Sequence, residues 1–185
     1  MHRLFKKSQI FTIPNILSFF RMLLIPVIIW MYCFENDYTA ATAVILLSGA
    51  TDIADGIIAR KFNMVSDFGK FLDPLADKMT QMTLIICLAF KYPLMIYLVI
   101  LFVLKECIMG TLAAITLKKH DSVNSAKWHG KLNTIILYSA MVIMIIFPHL
   151  PEEAINSMFG LCIVSMCCSL ILYTKFHIDI WKAKK

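Results

Sequence analysis

The sequence predicts an all-α membrane protein: a bundle of six transmembrane helices preceded by a short amphipathic helix. Apolar residues occupy 59% of the 185 positions, and the mean hydropathy is +0.75. These residues form long runs, and about 20 apolar residues in succession are needed to cross the hydrocarbon core of a bilayer. The composition therefore favours a membrane protein over a soluble one, and the length fits one domain over residues 1–185.

The charge of the chain indicates its partners, and the positions of its cysteines indicate their role. The net charge is +6, but the basic side chains gather at the ends of the apolar runs, which fits anionic lipid headgroups better than nucleic acid. We therefore expect no nucleic-acid partner. The six cysteines lie within apolar runs without a Cys-x-x-Cys pair, so we interpret them as small buried apolar side chains.

The first predicted elements are a surface helix and a membrane span. Residues 1–13 mix basic and apolar side chains, which fits an amphipathic helix on the membrane surface and equally a disordered basic tail. The first span is predicted over Asn15–Phe34. Pro14 can open it, since proline is tolerated in the first helical turn, and Pro26 predicts a kink.

A polar stripe lies at the start of this first span. Asn15, Ser18 and Arg21 follow one another at steps of three, which places them on one side of a helix. The stripe can be an interfacial polar edge with a snorkelling arginine, or part of a binding site.

Five further spans complete the predicted bundle. They are predicted over Tyr38 to about Ile58, Phe71–Phe90, Leu94–Leu117, Leu132–Phe147 and Ile155–Tyr173. The fourth span contains Lys105 and Glu106, and charges at that depth must face the protein interior. We interpret Glu106 as half of a structural ion pair with another helix, and the role of Lys105 stays open. The histidines of the polar loop 118–131 lack ligand spacing, so we expect them to be solvated.

Two acid pairs lie in the stretch from residue 52 to residue 77. Asp52 and Asp55 are three residues apart and Asp73 and Asp77 are four apart, so each pair occupies one face of a helix. Such carboxylates form an oxygen-rich pocket suited to Mg²⁺ or Mn²⁺, and we expect no basic side chain between them. A solvated polar loop is the alternative, but the flanking segments are apolar and acids near membrane depth are costly.

The spacing of this stretch resembles the signature of the CDP-alcohol phosphotransferases. The matching positions are Asp52, Asp55, Gly56, Ala59, Arg60, Gly69, Asp73 and Asp77. Eight fixed positions with fixed gaps make a specific signal. The run 69–78 looks like the phosphatidylglycerophosphate synthase and cardiolipin synthase branches, and the resemblance extends to residues 14–18 with Arg21.

The resemblance implies a metal-dependent transfer of the phosphatidyl group of CDP-diacylglycerol to an alcohol, with release of CMP. It implies two divalent ions, Mg²⁺ or Mn²⁺, held by the four acids of the motif, and a catalytic Asp77 that accepts the proton of the alcohol. A metal ion bound to Asp77 would stabilise its ionised carboxylate and make it a weaker base, so the two roles compete. Only the resemblance to the family assigns both roles to Asp77. Donor binding is implied for Asn15, Ser18, Gly56, Ala59, Arg60, Ser66 and Gly69.

The acceptor is predicted from lysines outside the motif. Lys127 and Lys131 are four residues apart and can grip a phosphate from one helix face, which favours a small anionic acceptor such as glycerol 3-phosphate. Gly130 with Lys131 also looks like a glycine–lysine pair of the phosphatidylglycerophosphate synthase branch, and Lys105 completes the predicted acceptor set. Cardiolipin synthase activity or another acceptor is the alternative. A transporter or an inactive scaffold is more remote, since no internal repeat is visible and all four acids are intact.

The distribution of bases predicts the orientation. Lysine and arginine cluster in residues 1–7, 60–70, 118–131 and 175–185, whereas the opposite helix ends are mostly acidic. The positive-inside rule then places both termini and the motif on the cytoplasmic side of a multi-pass protein of the cell membrane. We also expect a homodimer.

Overall fold

The computed structural model describes residues 12–62, 66, 68–119 and 128–182. For residues 60, 70, 117–119, 128, 129, 131 and 181, only the backbone is described. The surface helix predicted over residues 1–13 therefore lies almost entirely outside the described residues, and so does Lys127.

Every regular element among the described residues is a helix, which confirms the all-α prediction. The helices are α1 (Ile13–Ile29), α2 (Tyr38–Lys61), α3 (Gly69–Lys91), α4 (Met95–Lys119), α5 (Trp128–Ile146) and α6 (Glu152–Lys182). A π-helical turn, Trp30–Phe34, follows α1. It begins four residues after Pro26, whose ring interrupts the regular hydrogen-bond ladder of the helix.

Four of the helical segments are long and apolar enough to span a membrane, in agreement with four predicted spans. They are Ile13–Phe34, Tyr38–Ala59, Met95–Thr116 and Glu152–Ile180. Side chains such as Leu23 and Ile53 stay largely exposed on these segments, as expected for a surface that faces lipid. The other two helices are not among these four segments, since α3 carries charges in its first turns and α5 contains only the shorter apolar stretch Leu132–Ile146. The total of six membrane spans therefore stays a prediction.

The last helix is longer than the sequence predicts. The sequence predicts the end of the sixth span at Tyr173, where the side chains become more polar, but α6 continues to Lys182. The segment between these residues contains neither glycine nor proline, so nothing in it breaks the helix. A change of polarity marks the end of the apolar segment and not the end of the helix.

The chain forms two compact units, residues 1–87 (unit 1) and 88–185 (unit 2). In unit 1, α1 packs against α2, and the π-helical turn contacts both. Ile28, Ile45 and Leu84 from its three helices are fully buried. In unit 2, α4 and α5 each pack against α6, around a core that includes Met141 and Met166. That the chain is one domain stays a prediction.

Local sequence explains how the helices of unit 1 begin. Pro14 stands in the first turn of α1, where a missing backbone N–H costs nothing. The acidic turn before α2 ends with Asp37, whose carboxylate accepts a hydrogen bond from the backbone N–H of Ala40 at 2.9 Å and caps the helix. Asn36 has a positive φ of 55°, a conformation that asparagine tolerates better than most residues.

Candidate active site

The polar residues of the motif converge at one end of unit 1. This end is formed by the first turns of α1, the last turns of α2 and the first turns of α3. Helix α1 contributes Arg21, α2 contributes Asp52 and Asp55, and α3 contributes Asp73 and Asp77. We call these five side chains the acid cluster. The two acid pairs are thus linked to each other through side chains of α1.

Arg21 lies at the centre of the acid cluster. Its Nη1 donates hydrogen bonds to Oδ1 of Asp52 and to Oδ1 of Asp77. Its Nη2 donates to Oδ2 of Asp55. One guanidinium therefore joins both acid-bearing helices to α1. The expectation that no basic side chain lies between the carboxylates is wrong, because the polar stripe of α1 packs directly onto the motif.

The acid cluster has a closed side and an open side. Arg21 is 2% exposed and the side chain of Asp55 is 6% exposed, whereas the side chains of Asp52 and Asp77 are 46% and 44% exposed. A ligand can therefore reach the carboxylates of Asp52 and Asp77 without any change in the packing of Arg21. The open side is the place where a charged group would enter.

Ser18 connects the two acid pairs on the closed side. Its hydroxyl donates to Oδ1 of Asp73 at 2.6 Å and lies 3.4 Å from Oδ2 of Asp55. It also lies 3.1 Å from the carbonyl oxygen of Pro14. The serine of the polar stripe is therefore part of the same network as the motif.

Asn15, Ser66 and Gly69 form a second contact beside the acid cluster. The amide of Asn15 donates to Oγ of Ser66 at 3.1 Å, and the backbone N–H of Gly69 donates to the same oxygen at 2.9 Å. A Cβ atom on Gly69 would lie 2.6 Å from Oδ1 of Asn15, closer than real Cβ contacts allow. Glycine is therefore required here because α1 and the start of α3 approach closely.

The donor set of the acid cluster fits divalent cations. Four carboxylates and one guanidinium carry a net charge of −3 when all are ionised (−4 + 1), and carboxylate oxygens are the ligands that Mg²⁺ and Mn²⁺ prefer. Among the described residues, however, no group of three or more carboxylate, imidazole or thiolate side chains is arranged around a common metal position. Three of the four carboxylates instead point one oxygen at Arg21.

Other predicted donor residues occupy the same helix or cannot be placed. Gly56 and Ala59 lie on α2 between Asp55 and the end of the helix at Lys61. The side chain of Arg60 is outside the described residues. The predictions for these three positions are therefore neither confirmed nor contradicted.

The predicted acceptor residues belong to unit 2 or lie outside the description. Lys105 is 3% exposed, and its Nζ lies 3.1 Å from Oε1 of Glu106, the next residue of α4. Lys131 is in the first turn of α5, but its side chain is not described, and Lys127 lies outside the described residues. The acceptor set stays a prediction.

Sequence reasoning left Arg21 out of the predicted site. The available signal was its position three residues after Ser18 on the polar stripe. A charged residue within a spanning segment requires partners of opposite charge. The four acids of the motif were the obvious partners.

A comparison with known families decides the assignment. Residues 11–174 match the family model described as CDP-alcohol phosphatidyltransferase, which covers most of the chain. The chain belongs to the CDP-alcohol phosphatidyltransferase family. This confirms the family resemblance that the motif carries.

Relatives within this family carry two different names. A cardiolipin synthase (CMP-forming) / mitochondrial hydrolase fusion protein of Schizosaccharomyces pombe is 38% identical over 65% of this chain and 20% of its own length. A CDP-diacylglycerol–glycerol-3-phosphate 3-phosphatidyltransferase of Rickettsia typhi is 44% identical over 36% of this chain and 39% of its own length. A cardiolipin synthase (CMP-forming) of Streptomyces coelicolor is 27% identical over 75% of this chain and 67% of its own length.

These coverages limit what the relatives imply. The chain spans a fifth of the fusion protein and about two fifths of the Rickettsia enzyme. Both names occur among the relatives of this chain. The family assignment therefore does not distinguish between the two named activities, and the acceptor alcohol must be argued from the residues of this chain.

Proposed function

We propose that the chain transfers the phosphatidyl group of CDP-diacylglycerol to glycerol 3-phosphate and releases phosphatidylglycerophosphate and CMP. The observation that carries this proposal is the convergence of all four motif acids, with Ser18 and Arg21, at one end of unit 1. The family match supports the reaction class. In this reaction the acceptor hydroxyl forms a new bond to the phosphatidyl phosphorus, and the bond between that phosphorus and the CMP oxygen breaks.

Asp77 is the proposed proton acceptor of the reaction. Its carboxylate is on the open side of the acid cluster and Arg21 engages its Oδ1, so we assign the proton of the attacking hydroxyl to Oδ2. In the absence of metal, Arg21 contacts the other oxygen of this carboxylate. Arg60, one turn after Gly56 on α2, suits the donor phosphates through its planar, always charged guanidinium.

Asp52, Asp55, Asp73 and Asp77 would hold two Mg²⁺ or Mn²⁺ ions. When bound, such ions would neutralise charge on the reacting phosphate and on departing CMP. The net negative charge of the acid cluster and its half-exposed carboxylates support this proposal. Asn15 and Ser66 shape the wall beside the cluster, where the nucleotide of the donor is proposed to bind.

Lysines of unit 2 support glycerol 3-phosphate as the acceptor. A small dianion needs cationic hydrogen-bond donors, and Lys131, at the start of α5, can supply one together with Lys127. Lys105 is buried beside Glu106, which compensates its charge, so we assign it a weaker part in acceptor binding. The Rickettsia relative, which acts on glycerol 3-phosphate by its name, supports the same acceptor.

Cardiolipin synthesis is the second candidate function. It is favoured by the length of the matches, since the Streptomyces cardiolipin synthase aligns with 75% of the chain and the Rickettsia enzyme with 36%. Phosphatidylglycerol would then be the acceptor, and lysines would matter less, because its headgroup carries one negative charge and not two.

The proposed setting is the cell membrane, with the acid cluster and both termini on the cytoplasmic side. The clusters of lysine and arginine at one set of helix ends support this orientation. A cysteine introduced at Asn124 should react with a membrane-impermeant thiol reagent only from the cytoplasmic side, and one introduced at Glu152 only from outside. Reversed labelling would contradict the orientation. A homodimer is proposed as the assembly.

The test of the function is a panel of acceptors with labelled CDP-diacylglycerol. Purified protein is given glycerol 3-phosphate, phosphatidylglycerol, inositol phosphate or serine, and the lipid product and CMP are measured. We expect phosphatidylglycerophosphate from glycerol 3-phosphate, and a smaller yield from the Lys131→Ala variant at low acceptor concentration. If cardiolipin is the sole product, the acceptor is phosphatidylglycerol and the proposal of glycerol 3-phosphate is wrong. If no acceptor leads to release of CMP, the proposal of phosphatidyl transfer is wrong.

A further inference from the structure

Arg21 is the only charged residue of α1, and the helix buries it. Its exposed fraction is 2%, within a segment that is long and apolar enough to span a membrane. A buried guanidinium is costly unless anions surround it. The eight motif positions account for the acids, but they assign no task to this cation.

The contacts of Arg21 are divided between two helices. Nη1 bonds Asp52 on α2 and Asp77 on α3, while Nη2 bonds Asp55 on α2. A guanidinium has five N–H groups, and the Nε–H of Arg21 is buried without a partner among the described residues. The side chain is thus oriented by carboxylates alone, at the point where α1, α2 and α3 meet.

We propose that Arg21 is the resident counter-cation of the acid cluster, which holds Asp52, Asp55 and Asp77 together in the absence of metal and competes with divalent cations for them. The competition with metal rests on the proposed function, since it concerns the same carboxylates. The stabilising role in the absence of metal does not depend on catalysis.

Loss of the positive charge of Arg21 should have two consequences, one for the stability of the metal-free protein and one for its affinity for metal. Without Arg21 the four carboxylates would carry −4 instead of −3, and like charges in a partly buried place repel one another strongly. Removal of the guanidinium should therefore destabilise the protein without metal. The same removal takes a positive charge away from the metal position and frees three carboxylate oxygens, so it should tighten the binding of a divalent cation.

These two effects have opposite signs, which separates the proposal from simpler roles. A residue that only packs would weaken metal binding when replaced, because the carboxylates would lose their positions. A residue that only binds the donor phosphate would change the KM for CDP-diacylglycerol and leave the metal-free protein as stable as before. A counter-cation lowers metal-free stability and raises metal affinity together.

The experiment compares wild-type protein with Arg21→Gln and Arg21→Lys in detergent. Thermal midpoints are measured in EDTA, and Mn²⁺ binding is measured from the electron paramagnetic resonance signal of free Mn²⁺. For Arg21→Gln we expect a midpoint lower by roughly 5–10 °C in EDTA and a Kd for Mn²⁺ about tenfold lower. Arg21→Lys keeps the charge without the planar fork, so its Kd should stay within about threefold of wild type while its midpoint falls.

Ser48→Ala is the matched control. Ser48 lies one turn before Asp52 on α2, and its buried hydroxyl has no partner among the described residues, so its loss should change neither quantity. If Arg21→Gln does not fold, Arg21→Lys still tests the proposal, because a changed Kd with the charge kept would overturn it.

The outcomes also separate this proposal from the proposed function. An unchanged midpoint of Arg21→Gln in EDTA would overturn the counter-cation role even if the wild-type protein makes phosphatidylglycerophosphate. A Kd for Mn²⁺ that is unchanged or raised in Arg21→Gln would overturn the competition. If no acceptor yields product but both expected shifts are found, the counter-cation role stands and the proposed function fails.

Discussion

Both units of the molecule bury polar side chains, but among the described residues the buried charges are unbalanced in unit 1 and paired in unit 2. The acid cluster sets four carboxylates against a single guanidinium, and two of its carboxylates are close to half exposed. In unit 2 two pairs of polar side chains contact each other between helices. Ser165 donates to Asn133 at 3.0 Å, and Thr116 lies 2.7 Å from the ring of His177.

This difference distinguishes polar groups that stabilise helix contacts from polar groups that can bind a ligand. In a neutral pair or a pair of opposite charges, each group satisfies the hydrogen bond or the charge of the other when the protein folds. Such a pair therefore stabilises the contact between helices. Lys105 and Glu106 of unit 2 follow the same pattern, since their charges cancel. The acid cluster carries a net charge of −3 when all its groups are ionised, so repulsion between its carboxylates opposes folding until a cation neutralises them. The comparison therefore supports the proposal that unit 1 binds cations and phosphates.

Removal of metal should have the largest effect and should act on unit 1 alone. In EDTA we expect CMP release to be lost completely and to return when Mg²⁺ or Mn²⁺ is added in excess, because the acid cluster cannot bind a pyrophosphate while it is negative. The measurement is CMP release from CDP-diacylglycerol before and after chelation. Full activity in the presence of EDTA would contradict the metal-dependent reaction.

The second effect is that of Asp77→Asn, which removes the proposed proton acceptor with little change in size. We expect kcat to fall about 10²–10⁴-fold, the usual contribution of a positioned general base. The control is Asp179→Asn in unit 2, an exposed carboxylate on α6, which should leave kcat unchanged. Comparable losses in both variants would show that negative charge in general matters, and not its position in the acid cluster.

The sequence predicts the acids of this site better than it predicts their partners. Asp52 and Asp55, or Asp73 and Asp77, share a helix, so helical periodicity places each pair without knowledge of the fold. The contact of Arg21 with both pairs depends on how α1 packs against α2 and α3, which no local spacing encodes. Likewise, apolar runs predict three of the four candidate spans closely, but α6 passes Tyr173 because no glycine or proline breaks the helix there.

The third effect contrasts two glycines. Gly69→Ala should impair folding and activity, because the new Cβ would lie 2.6 Å from Asn15 and 3.0 Å from Ser66. We expect about 1–3 kcal/mol of lost stability, as for other overpacked sites. Gly110→Ala on α4 of unit 2 is the control, since its Cβ would meet nothing within 4 Å.

Gly110→Ala should leave the protein as stable as wild type or stabilise it by up to about 1 kcal/mol, because alanine is the better helix former. Both variants are compared by thermal unfolding in detergent and by CMP release. If Gly69→Ala is tolerated as well as Gly110→Ala, the close approach of α1 and α3 beside the acid cluster is not needed.

The smallest effect is expected from the neutral pair of unit 2. Thr116→Val keeps the shape of the side chain but removes the hydroxyl that lies 2.7 Å from Nδ1 of His177, a ring whose Nε2 already has no partner among the described residues. We expect a loss of about 1 kcal/mol, typical of a side-chain hydrogen bond between helices in a membrane, and an unchanged kcat. Thr111→Val is the control: Thr111 is exposed on the same helix and bonds only carbonyls of its own helix in the described contacts, so its loss should be smaller. A fall in kcat for Thr116→Val without a fall in the thermal midpoint would show that the pair takes part in the reaction, and the division between a structural unit 2 and a reactive unit 1 would then fail.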